Sequence, residues 1–311
     1  MTESHHYSIY GLKASSELEC PELLAVEPVV SPDICIRLGC VPERLLDARE
    51  ISEEVQVAKD DVLITIRGMA RFLVSGGSEI TVEPDPIAEP SVVRALLLGF
   101  AMGVLLHQRG CLPLHCCAVV HRGKAYAFCG HSGAGKSTLA AGLNRRGCEL
   151  MCDDLGVLRR DSDGQWLFYP GFPRIKLWRD TLNHFSIDPE ALNRDWQRQD
   201  KFHWQPGGAF ELRPLPLGAV YFLTVASPGD AASIRDIRPQ QGVALLLENT
   251  YRVHLINAIG EMRAHFLRCT DIAQKIQVFE YRRPWSLGNL DASLDVLPMV
   301  SGADACNFAT V

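Results

Sequence analysis

Short β-rich runs dominate the first eighty residues of this chain. Asp33 to Leu38, Val62 to Arg67 and Arg71 to Val74 are separated by Gly, Pro and acidic residues, the pattern of strands punctuated by turns. From Tyr7 to about Val82 this predicts a small, mostly β lobe. Between Glu83 and Pro90 three prolines interrupt the chain; proline cannot donate to a sheet ladder and breaks helices, so this stretch is expected to be a linker. Ser91 stands where an N-cap would, and the segment to Gln108 is strongly helix-forming before Gly110 offers a stop. Its apolar core, Ala95 to Leu106, spans 12 residues, short of the ~20 a membrane-crossing helix requires, and it is read as a buried helix joining two lobes.

The pattern then changes. Two β-like runs, Cys116 to Val120 and Ala125 to Cys129, flank the turn His121-Arg122-Gly123-Lys124, a helix is predicted over Ser137 to Arg146 with Gly147 ending it, and a strand over Glu149 to Cys152. Strand, loop, helix, strand is the order of an α/β core. A further β-like run covers Ala219 to Val225, helical periodicity spans Gly242 to Leu267, Ile276 to Tyr281 is β-like again, and a final segment to Leu297 has helical character. The last dozen residues read as frayed. The expected division is a β-rich lobe over residues 1–90 and an α/β domain over 91–311.

Composition narrows the class. With 47% hydrophobic and 22% charged residues the chain can bury a real core. A net charge of -6 works against nucleic-acid binding, which needs Lys and Arg gathered on one face. The start, Met1-Thr2-Glu3-Ser4-His5-His6, has no apolar core region of a signal peptide, so the eleven cysteines are expected as thiols in a reducing cytoplasm. No CxxC pair occurs, and Cys116, Cys117, Cys129, Cys148 and Cys152 lie in apolar runs, where cysteine behaves as a small buried hydrophobe. Zinc is therefore not expected.

The chemistry is concentrated after Cys129. Gly130-His131-Ser132-Gly133-Ala134-Gly135-Lys136-Ser137 meets the pattern G-x-x-x-x-G-K-[ST], in which glycines let backbone N–H groups curl inward and the following helix N-terminus adds its positive end. Lys136 can reach the β and γ phosphates, Ser137 can ligate Mg²⁺, and Thr138, which begins the helix, is counted with Gly130 to Ser137 among the nucleotide-binding residues. A strand before and a helix after the loop are the context that gives the motif its meaning, and the expected ligand is ATP with Mg²⁺. Asp153 and Asp154 follow an apolar β-like run, where α/β sheets place ligands. Asp153 is assigned as the base on an acceptor hydroxyl and Asp154 as the metal partner. A single metal-holding aspartate beside a turn-capping neighbour is the alternative. His115, after Leu112-Pro113-Leu114, could approach the same end of the sheet, although a lone histidine beside apolar residues is more often structural.

Together these residues resemble the HPr kinase/phosphorylase family. The loop recurs as Gly130 to Ser137, the histidine as Leu114-His115, and the aspartates as Arg146-Gly147-Cys148-Glu149-Leu150-Met151-Cys152-Asp153-Asp154. The resemblance covers mainly residues 110 to 160. It implies a P-loop-containing, phosphoenolpyruvate-carboxykinase-like catalytic domain, with Asp153 as base, His115 assisting it, and Lys136, Ser137 and Asp154 handling phosphates and metal. It implies a serine acceptor on a small protein, and ring-like homo-oligomers.

The family's Gly- and Arg-rich second signature has only a loose echo in Pro170 to Trp178. There Arg174, Lys176 and Trp178 follow period-two spacing, equally suited to a solvated strand face, and they are left outside the catalytic set. The whole-chain layout is more similar to divergent HPr-kinase-like proteins, some of which modify ribosomally made peptides such as lasso precursors. The expectation is a cytoplasmic ATP- and Mg-dependent serine kinase of a small protein or peptide, with neither nucleic acid nor membrane as partner. A small-molecule kinase and a non-catalytic nucleotide-binding regulator are the alternatives. The Leu-Ser-Gly-Gly-Gln motif of ABC-type ATPases is absent, as are His-Arg-Asp and Asp-Phe-Gly of eukaryotic-type kinases.

Overall fold

The computed structural model of the chain describes residues 4–206 and 210–301. It is a mixed α/β protein with several sheets that divides into two compact units. The first comprises Met1–Pro113, Val157–Arg159 and Thr250–Cys269; the second comprises Leu114–Gly156, Arg160–Asn249 and Thr270–Val311. The last dozen residues, expected to fray, fall almost wholly outside the described part.

In the first unit the β-rich expectation takes the form of a nine-stranded sheet. Alternation is clearest in Ala70–Ser75, which buries Ala70, Phe72 and Val74 and turns the residues between them outward, as a period of two requires. His5–Ile9 and Leu12–Ser16 pair with Ile9 opposite Leu12. Their two-residue turn places Tyr10 at φ 52° and Gly11 at φ 68°, the left-handed pair that suits a tight hairpin.

The division expected after residue 90 lies elsewhere. The proline stretch is partly strand, Glu79–Pro84, and the helix beyond it belongs to the first unit rather than joining two lobes. Its N-cap is Glu89, not Ser91, because Pro90 takes the first helical position, where its missing N–H costs nothing. Helical structure is continuous over Pro90–Gln108, 19 residues and thus longer than the apolar run suggested, with a π turn at Leu97–Ala101. By length and composition it could cross a membrane, yet 72% of it is buried, as for a core helix. A Cβ on Gly103 would come within 2.8 Å of the Tyr251 ring, so glycine there permits the close approach of Thr250–Cys269.

The second unit is organised by a sheet in which Leu150–Cys152, Cys116–His121, Lys124–Cys129, Leu215–Val225 and Gln277–Arg283 are neighbours in that order. Cys116–His121 runs antiparallel to both its neighbours, whereas Lys124–Cys129, Leu215–Val225 and Gln277–Arg283 are mutually parallel. The carboxyl ends of four strands therefore emerge at one edge, together with the start of Cys116–His121. Phe128, Tyr221 and Phe279 stand in register on adjacent strands and stack at 5.1 and 5.0 Å. Each such pair contributes about 0.5–1.5 kcal/mol beyond its buried area. Against this face packs Lys136–Arg145 through Leu139, Ala140 and Leu143. A separate three-stranded sheet contains Ile175–Trp178, Lys201–Trp204 and Asn193–Arg194.

The helical periodicity over Gly242 to Leu267 resolves into two helices, Pro239–Glu248 and Met262–Lys275, with a 3-10 turn at Val253–Leu255. Left-handed backbone at Arg252 and Gly260 breaks the continuity, and the break carries the chain from the second unit to the first.

Candidate functional site

Strand register decides which side chains meet. Cys116 is opposite Cys129, and Ala118 is opposite Cys152. The residue before Cys116, the loop after Cys129 and the pair after Cys152 therefore share one edge. Those are His115, Gly130–Gly135 and Asp153–Asp154.

Three glycines of the loop have positive φ. Gly130, Gly133 and Gly135 have φ of 150°, 91° and 81°, a range L side chains adopt only under strain. Gly135 caps the helix Lys136–Arg145; a Cβ there would lie 1.8 Å from Arg283 Nη2. Ala134 N–H closes the loop onto the His131 carbonyl at 3.0 Å. Lys136 is buried, its Nζ donating to the Gly130 and His131 carbonyls at 2.7 and 3.2 Å. His131, Ser132 and Gly133 are exposed. Thr138 turns away from the loop, with its Oγ1 3.2 Å from Thr181 Oγ1.

The two aspartates diverge. Asp153 leaves the strand end, whereas Asp154 adopts a left-handed φ of 78°, uncommon for any residue but glycine, asparagine and aspartate. Asp153 Oδ1 accepts from Ser137 Oγ at 2.8 Å, and its Oδ2 accepts from Lys176 N–H at 2.8 Å. Asp154 Oδ1 lies 3.3 Å from His115 Nδ1, which is also 3.1 Å from the Asp154 carbonyl. His115 was expected to assist Asp153; it contacts Asp154 instead, because the left-handed turn swings that side chain back toward the start of Cys116–His121.

Their ionisation separates accordingly. Burial, and next the neighbouring charge of Asp154, push the Asp153 carboxyl above its ordinary range, and the bonds from Lys176 and Ser137 only partly offset this. Burial acts on Asp154 too, but His115 and Lys176 overcome it and hold that carboxyl well below the usual range. Two carboxylates in one site that are pushed apart in this way can divide two tasks.

Several residues that local pattern left aside complete the cluster. Lys176 Nζ lies 3.5 Å from Asp154 Oδ2 and 3.4 Å from Asp195 Oδ2. Asp195 is buried and 3.3 Å from His203 Nε2. Burial pulls the Lys201 ammonium below its ordinary value, while Asp153 and Asp154 pull it back up. Arg198 donates to Ser132 Oγ at 3.1 Å. Buried Arg283 donates to the Ala134 and Gly135 carbonyls at 3.1 and 3.3 Å. The period-two spacing of Arg174, Lys176 and Trp178 was the one sequence signal. Ile175 and Leu177 are buried, but Lys176 points into the acidic cluster rather than into solvent, and Arg174 covers the Phe172 ring at 4.7 Å.

The donors suit a magnesium–nucleotide pair. Ser137 and Asp153 present a hydroxyl and a carboxylate together, and Asp153 is a half-buried group whose negative charge is opposed by its surroundings. A divalent cation would relieve that opposition. No group of three metal-ligating side chains occurs among the described residues; Mg²⁺ bound with a nucleotide takes one or two carboxylates and fills its remaining positions with water and phosphate oxygens.

No family model matches the chain, and none of the curated proteins does. Among solved structures it aligns with the Hpr(Ser) kinase/phosphatase from Coxiella burnetii at 16% identity, covering 58% of this chain and 91% of that one with a TM-score of 0.29. An overlap that loose leaves the reading of the site to its own geometry.

Proposed function

We propose that this chain is an ATP- and Mg-dependent kinase that binds the nucleotide on Gly130–Ser137 and transfers its terminal phosphoryl group to a hydroxyl. The observation that carries the reading is the pairing of Ser137 with Asp153 beside the pairing of His115 with Asp154, both at the end of the loop. The first pair is suited to holding Mg²⁺, and Lys136 to the β and γ phosphates; the metal, when bound, neutralises charge on the phosphate oxygens. The second pair is suited to the acceptor. This reverses the expected division, in which Asp153 was the base and Asp154 the metal partner.

Asp154, held ionised by His115 and Lys176, accepts a hydrogen bond from the acceptor hydroxyl and aligns its oxygen with the terminal phosphorus. The oxygen–phosphorus bond forms as the bond from phosphorus to the bridging oxygen breaks. ADP leaves, and the hydroxyl proton passes to the Asp154–His115 pair. A loose transition state needs an oriented acceptor more than a strong base, so a depressed carboxyl pKa suits this role. Lys176, bridging Asp154 and buried Asp195, fixes the position of the accepting carboxylate.

The sequence resemblance supports a serine of a small protein or ribosomally made peptide as the acceptor, with loop and carboxylates serving any correctly presented hydroxyl. Incubation with ATP labelled on its terminal phosphate, Mg²⁺ and candidate serine-containing proteins, peptides and hydroxylated metabolites tests the reading. Transfer that disappears in Lys136→Ala and Asp154→Asn is expected. Nucleotide binding without transfer to any hydroxyl would leave a nucleotide-binding regulator in place of a kinase.

A further inference from the structure

The strand order that places Asp153 and Asp154 on one side of the loop brings a different residue to its other side. Across the sheet, Leu150–Cys152 lies two strands from Lys124–Cys129 in one direction, and Gln277–Arg283 lies two strands away in the other, with parallel ends at the same edge. Gln277–Arg283 ends at Arg283, whose buried guanidinium is tied to the Ala134 and Gly135 carbonyls. Two residues later comes Trp285, 61% exposed. A Cβ on Gly133 would stand 3.8 Å from Trp285 Cη2, so the indole edge borders the exposed tip of the loop.

We infer that Trp285 is a stacking platform for the nucleobase of the bound nucleoside triphosphate. The inference rests on the kinase reading of the loop. A nucleotide whose terminal phosphate lies toward Ser137 and Asp153 leads its nucleoside away from that acidic side, to where, beyond the end of Leu215–Val225, Pro284-Trp285 brings an indole to the loop tip. The chemistry fits: a base offers a flat π-face, and an aromatic side chain stacked on it contributes binding without reading the base's edge groups.

The other large exposed indole near the loop, Trp178, is already covered, with Arg198 and Lys201 over its ring at 5.7 and 5.8 Å. Among the described residues none places a ring or cation over Trp285. Through Arg283 the platform is held to the loop that takes the phosphates, so base and phosphates are recognised by one continuous piece of structure.

The test compares a ligand with a base and one without. Equilibrium binding of Mg-ATP and of Mg-tripolyphosphate is measured on the full chain, on Trp285→Ala and on Trp285→Phe. Trp285→Ala is expected to weaken ATP by on the order of 10-fold, the scale of one lost base stack, to leave tripolyphosphate within about 2-fold, and Trp285→Phe to recover most of the loss. Since Trp285 is exposed, neither substitution removes core packing. Unchanged ATP binding in Trp285→Ala, or equal weakening of both ligands, would overturn the platform while leaving the loop reading standing. Failure of the unaltered chain to bind either ligand would overturn both.

Discussion

Ser137 Oγ donates to Asp153 Oδ1 at 2.8 Å, joining the first turn of Lys136–Arg145 to the end of Leu150–Cys152 across the intervening strand. Asp154, one residue further on, faces His115 instead. Two adjacent residues of the same chemistry thus have different partners, and substituting them should have different consequences.

Asp153→Asn is expected to weaken Mg-dependent nucleotide binding. Asp154→Asn should leave nucleotide affinity within a few-fold and slow transfer on the order of 10²- to 10⁴-fold, the range for loss of a proton-accepting group. Nucleotide titrations with and without Mg²⁺, beside single-turnover transfer, separate the two. If Asp153→Asn slowed transfer at full Mg-nucleotide occupancy and Asp154→Asn lost the metal, the original division would be restored.

Gly135→Ala places a methyl group against Arg283 Nη2 and forces alanine into φ 81°. The left-handed backbone alone costs about 1–2 kcal/mol, and displacement of Arg283 releases the carbonyls of Ala134 and Gly135. The variant should lose nucleotide binding while a calorimetric unfolding transition persists at lower temperature. Full binding by Gly135→Ala would mean that the loop tolerates a different backbone.

Lys176→Met removes the cation shared by Asp154 and buried Asp195. Breaking a buried ion pair costs about 3–5 kcal/mol, here toward the low end because His203 still contacts Asp195. Stability should fall by about 3 kcal/mol in denaturant titrations and transfer should be lost. Lys176→Arg should recover stability better than transfer, since a planar fork cannot reproduce a point charge between two carboxylates. Wild-type stability in Lys176→Met would show that the bridge contributes nothing net.

His107 and His265, in the first unit, set an acid limit. Burial lowers both imidazole pKa values to about 4, and their rings lie 5.9 Å apart. His107 Nε2 is 2.7 Å from the Tyr251 carbonyl, so the neutral ring donates there. A histidine depressed in the folded state binds fewer protons than in the unfolded chain. Stability is therefore full above the unfolded value near 6.5 and is lost as pH falls toward about 4, by about 3 kcal/mol for His107. Unfolding measured from pH 7 to pH 4 should show this slope, and His107→Gln, which keeps a donor, should flatten it. An unaltered slope in that variant would place the acid sensitivity elsewhere.

Much of the second unit was legible because its signals are local. A glycine that must curl backward, a lysine and serine at the start of a helix, and an apolar strand ending in two aspartates each follow from neighbours within a few residues. The boundary of the first unit was less legible: the helix Pro90–Gln108 is apolar all round, and its pattern does not say which sheet will cover it.

The sequence by itself determined that a glycine loop, a helix and a pair of carboxylates would lie close together, since the intervening chain is short and its strand and helix periods are clear. Tertiary structure alone decided that Asp153 takes Ser137, that Asp154 takes His115, and that Lys176, Asp195, Arg283 and Trp285 arrive at the same edge. Those pairings depend on strand order, register and one left-handed residue. A change of one position in register would turn each side chain to the opposite face, and no local period along the chain specifies which distant strand lies beside which.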